Sequence, residues 1–137
     1  MSAKLNKIFF NTYIEADKLC CAKFGVERGG INEYINKLIN SRFASDREDT
    51  LNHLTKYRDI RNVLAHEAGA MSADESLVRS DVKWMQGFTS DLHYKRDPLS
   101  KYLRRARGYL RFRRIVSATV ILLIAAALTF VYFSYFR

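Results

Sequence analysis

The sequence has little of what a β-rich or disulfide-stabilised protein needs. Its 137 residues include one proline, six glycines and two cysteines. Scarce proline and glycine, with abundant Leu, Ile, Ala and Lys, favour helices over a β-sandwich. The cysteines, Cys20 and Cys21, are adjacent, and neighbouring helical residues point about 100° apart, so a disulfide between them would be strained. We expect free thiols in a reducing compartment, one in the core and the other half-exposed.

Acidic residues are absent from the C-terminal part of the chain. Residues 1–97 carry 15 Lys or Arg and all 14 Asp or Glu, a net charge of +1, whereas residues 98–137 carry eight Lys or Arg and no acid. The basic run could bind nucleic acid, but its position directly before an apolar run favours anionic lipid at a membrane surface. Its members are Lys101, Arg104, Arg105, Arg107, Arg111, Arg113 and Arg114.

Residues 115–136 form a 22-residue run without a charge. As a helix it would be about 33 Å long, which matches a hydrocarbon core of about 30 Å. Seven cationic residues precede the run and only Arg137 follows it, so the positive-inside bias places the N-terminal domain in the cytoplasm. The sequence therefore predicts a single-pass protein with a C-terminal anchor; the alternative is a buried core helix. No apolar region follows Met1, so we expect no signal peptide.

Helical periodicity predicts four helices in the first 97 residues, over about 4–23, 31–44, 47–68 and 73–95. Asp46, and Ser72 with Glu75, are candidate N-terminal caps. Asp97 and Pro98 suit the cap and first residue of a fifth helix that continues into the apolar run. We predict an all-α fold: a four- to five-helix bundle (1–97), a basic juxtamembrane helix (98–114) and one transmembrane helix (115–136). Its predicted apolar faces include Ile8, Phe9, Ala16, Cys20, Ile39, Phe43, Leu54, Tyr57, Val78, Val82, Met85 and Phe88.

Polar residues concentrate between Tyr57 and Glu67, on what the spacing predicts to be a packed helix. Asn62 and His66 are i,i+4 neighbours, whereas Arg61 is offset from His66 by about 140°. A histidine can hold or release a proton near neutral pH, and an arginine suits a phosphate because its contact is bidentate and always charged. Asp59 could fix a histidine tautomer or pair with Arg58.

The pattern Arg61-Asn62-x-x-x-His66 resembles the signature of the HEPN superfamily, over about residues 1–100. HEPN domains are small all-α bundles, and many are metal-independent ribonucleases of toxin, antiphage and RNA-processing systems that act as dimers. Others are inactive interaction modules. By this resemblance Arg61 would bind the scissile phosphate, His66 would transfer protons, and Asn62 would orient His66 or the RNA. A bacterial inner membrane fits the resemblance.

We therefore expect a membrane-anchored, homodimeric HEPN-like endoribonuclease without a cofactor. The alternative is a tail-anchored module in which the same residues form a dimer or partner surface. A third reading is a membrane effector whose span oligomerises through Ala125–Ala127 and permeabilises the bilayer. No polar stripe lines the span, which argues against a conducting pore. His53 and His93 lack metal-ligand spacing, which argues against a metal site. Tyr57 and Trp84 could stack bases, but we expect them to be core or rim residues.

Overall fold

The computed structural model describes residues 2–73 and 76–136 and contains only helices over these ranges. They are α1 (Ser2–Phe24), α2 (Gly30–Asn40), α3 (Arg47–His66), α4 (Ala70–Ala73), α5 (Arg79–His93) and α6 (Pro98–Tyr135). The all-α class and the long apolar C-terminal helix are confirmed. The chain divides into two compact units, Met1–Tyr102, which we call the head, and Leu103–Arg137.

Helix α1 contacts each of α2, α3, α4 and α5. Its buried face follows helical spacing through Phe9, Tyr13, Ala16 and Cys20. Burial raises the pKa of the Cys20 thiol to about 12, so this sulfur is protonated and inert at neutral pH. Cys21 is half-buried, and both cysteines are free, as the sequence predicts.

The predicted face of α1 is wrong near its beginning. Ile8 is 36 % exposed, whereas Asn6 is buried and its side-chain amide donates to the Met71 carbonyl at 3.2 Å. Asn6 can be buried because this long-range hydrogen bond satisfies its amide. Helical spacing alone shows no such partner, since Met71 is remote in the sequence.

The backbones of α1 and α2 lie unusually close together at Gly30. A Cβ atom at Gly30 would overlap the Asp17 carbonyl oxygen and the Cys21 amide nitrogen. The Ile31 amide donates to Asp17 Oδ1 at 2.8 Å, which satisfies one of the free N–H groups at the beginning of α2. Glycine at position 30 therefore sets how closely the two helices pack.

Helix α2 ends earlier than its apolar pattern predicts. The pattern extends to Phe43, but α2 ends at Asn40 and the Phe43 side chain is 86 % exposed. Arg47 holds the end of α2, since its Nε and Nη2 donate to the carbonyls of Leu38 and Ile39 at 3.1 and 2.9 Å. Asp46 precedes α3 as expected, but it has a left-handed backbone (φ 54°) and no side-chain capping hydrogen bond.

The predicted fourth helix also begins too early. Ser72 lies inside the short α4, Glu75 lies outside the described residues, and α5 begins at Arg79. The carboxylate that caps α5 belongs to Asp81, whose Oδ2 accepts the Val78 amide at 2.9 Å. Its Oδ1 accepts Tyr57 Oη at 2.9 Å and Lys56 Nζ at 3.0 Å. The buried Asp81 therefore also ties α5 to α3. Val78, predicted to be apolar core, is 55 % exposed.

Asp97 caps α6 as predicted and is fully buried. Its Oδ2 accepts the Ser100 amide at 3.1 Å, Lys23 Nζ at 2.8 Å and Tyr34 Oη at 2.8 Å. Burial alone would raise the pKa of Asp97, but the hydrogen bonds from Lys23 and Ser100, the charge of Lys23 and the bond from Tyr34 outweigh it, so this pKa is lowered. One carboxylate thereby joins α1 and α2 to the first turn of α6.

The approach at Gly30 gives a stability prediction. Gly30→Ala should lower the free energy of unfolding by about 2–3 kcal/mol, because the new methyl group meets backbone that cannot rotate away. Gly87→Ala is the control, since α5 leaves open space there; it should be neutral or stabilising by up to about 1 kcal/mol. Urea unfolding of the full chain in detergent, followed by the fluorescence of its single tryptophan, Trp84, measures both. Equal effects would contradict the tight contact.

Asp97 gives a prediction about pH. Asp97→Asn should destabilise the head by roughly 3–5 kcal/mol at neutral pH, because Lys23 loses its counter-charge. A carboxyl whose folded pKa is lowered stabilises above its unfolded pKa of about 3.9 and loses that contribution as pH falls through the folded value. The difference in the free energy of unfolding between wild type and Asp97→Asn should therefore be constant from pH 7 to about 5. It should become smaller below about pH 4. Urea unfolding of both proteins at several pH values across this range measures that difference. Asp91→Asn, which removes an exposed ion pair with Arg96, is the control.

Candidate functional site

Helix α3 divides the motif between two of its sides. Leu54, Tyr57 and Leu64 are buried against the core, whereas Asn62 and His66 are exposed and Arg61 is half-buried. Arg61 follows Tyr57 by four residues and precedes Leu64 by three, so it lies at the packed side of the helix. Asn62 and His66 point away from that side and are open to a ligand or to another copy of the chain.

Arg61 is the most constrained residue of the motif. Its guanidinium carbon lies 6.0 Å from the centre of the Phe10 ring on α1, at the limit of a cation–π contact. Its Nη1 donates to Asn62 Oδ1 at 3.2 Å. Its Nε is buried without a hydrogen-bond partner among the described residues. The side chain is thus held at the α1–α3 boundary with donor capacity unused.

His66 is the last residue of α3 and is exposed. In the described ranges, 2–73 and 76–136, no hydrogen bond or ion pair joins it to Arg61. One chain therefore holds the predicted proton-transfer group and the predicted phosphate ligand on one helix, but does not bring them into contact.

Arg58 and Asp59 pair with each other. Arg58 Nε lies 3.4 Å from Asp59 Oδ1 in an exposed contact between sequence neighbours. Such a pair contributes little to stability. Asp59 is predicted either to pair with Arg58 or to fix the tautomer of a histidine. The structure contains the pairing with Arg58. Within the described residues, no hydrogen bond joins Asp59 and His66.

Tyr13, on α1, is a residue near the motif that the sequence analysis missed. Burial raises the pKa of its hydroxyl, Asp17 adds to the rise, and Arg61 and Arg58 act in the opposite direction. The two arginines are thus close enough for their charge to reach this phenol, which stays protonated at neutral pH. Position 13 is remote from the motif in the sequence, and no local pattern connects them.

A comparison with protein families matches residues 7–119 to a family of unknown function, DUF6548. The chain belongs to the DUF6548 family. The matched region includes nearly all of the head, the basic segment and the first residues of the apolar run. No curated protein and no solved structure matches the chain.

The aromatic residues of this DUF6548 head are mostly internal. Tyr57 is fully buried, as expected. The half-buried Trp84 stacks on His53, with ring centres 4.5 Å apart and planes inclined by 7°, and on Phe88 at 5.4 Å and 11°. Tyr57 is buried and Trp84 already stacks on two rings, which favours the structural reading over base stacking. Within residues 2–73 and 76–136, no group of three His, Cys, Asp or Glu side chains could hold a metal ion.

Helix α6 carries the predicted basic residues, all of them exposed, from Lys101 to Arg114. It is the one helix in the described part of the chain that is long and apolar enough to cross a membrane, and none of its most apolar window is buried. A soluble core helix of that composition would be covered by other elements. The exposure therefore favours the anchor over the buried alternative.

Proposed function

We propose that this DUF6548 chain is a membrane-anchored, metal-independent endoribonuclease of the HEPN type that acts as a homodimer. The observation that carries the proposal is the state of Arg61. Its guanidinium is fixed by Phe10 and Asn62, and one donor has no partner among the described residues. A preorganised guanidinium suits a phosphate, because its outer Nη groups can form charge-assisted hydrogen bonds without first being ordered, whereas the buried Nε is not accessible to a ligand.

His66 supplies proton transfer in the proposed reaction. The ribose 2′-hydroxyl gives its proton to an imidazole, and its oxygen attacks the adjacent phosphorus. The bond from phosphorus to the 5′-oxygen breaks, and that oxygen takes a proton from an imidazolium, leaving a 2′,3′-cyclic phosphate and a 5′-hydroxyl. One imidazole must act as base and another as acid, while a cation stabilises the phosphorane.

The need for two imidazoles is the reason for proposing a dimer. One chain has a single histidine in its motif, and His53 is occupied by Asp49, whose carbonyl lies 2.8 Å from its Nδ1, and by stacking on Trp84. Two copies that meet along the exposed side of α3 would bring two His66 into one cleft, with each Arg61 at the edge of that cleft beside Phe10. Arg58 and Asp59 would lie at the margin of that cleft, where they could bind or orient RNA.

The proposed location follows from the distribution of charge. Residues 98–114 carry seven cationic residues and no acidic residue directly before the apolar run. By the positive-inside bias the head is cytoplasmic, which is where RNA occurs, and a bacterial inner membrane fits the resemblance. The anchor would confine a toxic nuclease to the membrane surface, as a toxin or antiphage effector requires.

Two observations favour the second candidate, a non-catalytic, tail-anchored interaction module. Residues 1–97, which form nearly all of the head, are nearly neutral, with 15 Lys or Arg against 14 Asp or Glu, and RNA-binding domains are usually basic. Phe43 is 86 % exposed on a loop that Arg47 holds in place. Aromatic side chains, Phe among them, are enriched at protein–protein interfaces.

Ribonuclease activity is tested on the full chain in mild detergent, with a fluorophore-quencher RNA and excess chelator. Wild type should cleave RNA, whereas His66→Ala and Arg61→Gln should be slower by at least about a hundredfold. His93→Ala, at an exposed histidine of α5, is the matched control and should keep full activity. The all-deoxy oligonucleotide should resist because it has no 2′-hydroxyl. Unchanged Trp84 fluorescence shows that each variant is folded.

Dimerisation makes a separate prediction. Specific activity should rise with protein concentration and level off where light scattering shows two chains per particle, because each cleft needs both copies. Cleavage that survives His66→Ala would refute the assigned site. A folded wild type that is inactive on mixed RNA, yet retains a protein partner equally well with and without Arg61→Ala and His66→Ala, would favour the interaction module.

A further inference from the structure

A groove on α6 lies where the basic segment meets the apolar run. It has a volume of about 460 Å³ and is lined by Leu110, Arg113, Arg114, Ser117, Ala118 and Ile121. Arg113 and Arg114 point about 100° apart on the helix, and Ser117 lies one turn later, between the two directions. The small side chains of Ser117 and Ala118 leave the space between the arginines open toward the apolar run.

The groove has unused hydrogen-bonding capacity and uncompensated charge. In the described part of the chain, no hydrogen bond or ion pair involves the side chains of Arg113, Arg114 or Ser117. The nearby Thr119 hydroxyl, by contrast, donates to the Ile115 carbonyl. No acidic residue occurs after Asp97. No acidic side chain on α6 compensates these two charges, so a negatively charged ligand would supply their counter-charge.

The position of the pair determines what can supply that counter-charge. Arg113 and Arg114 directly precede Ile115, the first residue of the uncharged run. With that run in the hydrocarbon core, the two guanidiniums lie at the level of the lipid headgroups, and their aliphatic stems lie beside acyl chains. The phosphates at this depth belong to lipids, whereas an RNA phosphate would have to leave bulk water.

We propose that this groove binds the headgroup phosphate of an anionic phospholipid. The two guanidiniums clasp the phosphate oxygens, the Ser117 hydroxyl donates a further hydrogen bond, and one acyl chain lies along Ala118 and Ile121. A lipid with net negative charge is preferred, because the choline of a zwitterionic headgroup already neutralises its own phosphate. The proposal depends on α6 alone and is independent of any ribonuclease activity.

Native mass spectrometry of the full chain in mild detergent tests the proposal, with equimolar phosphatidylglycerol and phosphatidylcholine. Wild type should retain phosphatidylglycerol about thirtyfold better, as expected if each of the two arginines contributes about 1 kcal/mol. Arg113→Gln with Arg114→Gln should reduce the preference nearly to one. Arg104→Gln with Arg105→Gln is the matched control: it removes the same charge from another adjacent pair on α6 and should keep most of the preference.

A second variant keeps every charge and fills the groove. Ser117→Leu should lower phosphatidylglycerol retention toward that of phosphatidylcholine, while circular dichroism shows an unchanged helix content. Equal losses in the two double variants would overturn the proposal in favour of diffuse attraction, and retention that survives Ser117→Leu would overturn the groove as its location. No preference in wild type, or binding of a single-stranded RNA oligonucleotide in place of lipid through Arg113 and Arg114, would also overturn it.

Discussion

The buried carboxylate of Asp97 is the interaction on which the arrangement of the head depends. It accepts hydrogen bonds from Lys23 at the end of α1, from Tyr34 in the middle of α2 and from the first turn of α6. Removing a carboxylate from water is costly, and its Oδ1 has no partner among the described residues. The charge of Lys23 and three hydrogen bonds to one oxygen offset that cost. Without them, the chain could not bury the carboxylate that caps α6.

Local chemistry explains which boundaries could be predicted from the sequence. Asp97 and Pro98 are a cap and a first helical residue, and both roles depend on atoms within three residues. The end of α2 could not be predicted in this way, because Arg47, nine residues beyond Leu38, takes up the last carbonyls and leaves Phe43 outside the helix. The beginning of α5 depends on Asp81, whose partners Lys56 and Tyr57 lie on α3. Where the deciding partner is distant, periodicity indicates a helix but not its ends.

The candidate site on α3, like the helix ends, depends on residues that are distant in the sequence. Spacing alone places Asn62 and His66 on one face of α3, and the helix that carries them exists as predicted. What fixes Arg61 is Phe10 on α1, and the phenol that its charge reaches is Tyr13. Both are about fifty residues away, so no local pattern contains them. The sequence identifies the residue types of the candidate site, but its support comes from the packing of α1 on α3.

Exposure of the motif has a consequence for the proposed enzyme. A catalytic group in water gains little from electrostatics, because a high dielectric weakens every charge–charge contact. Two heads that meet along α3 would exclude water from Arg61 and His66 at the moment when both imidazoles become available. If α6 spans a membrane, it would confine the heads to one surface and raise their effective concentration, so fewer copies would be needed for them to meet. In such an enzyme the density of chains in the membrane would set its activity.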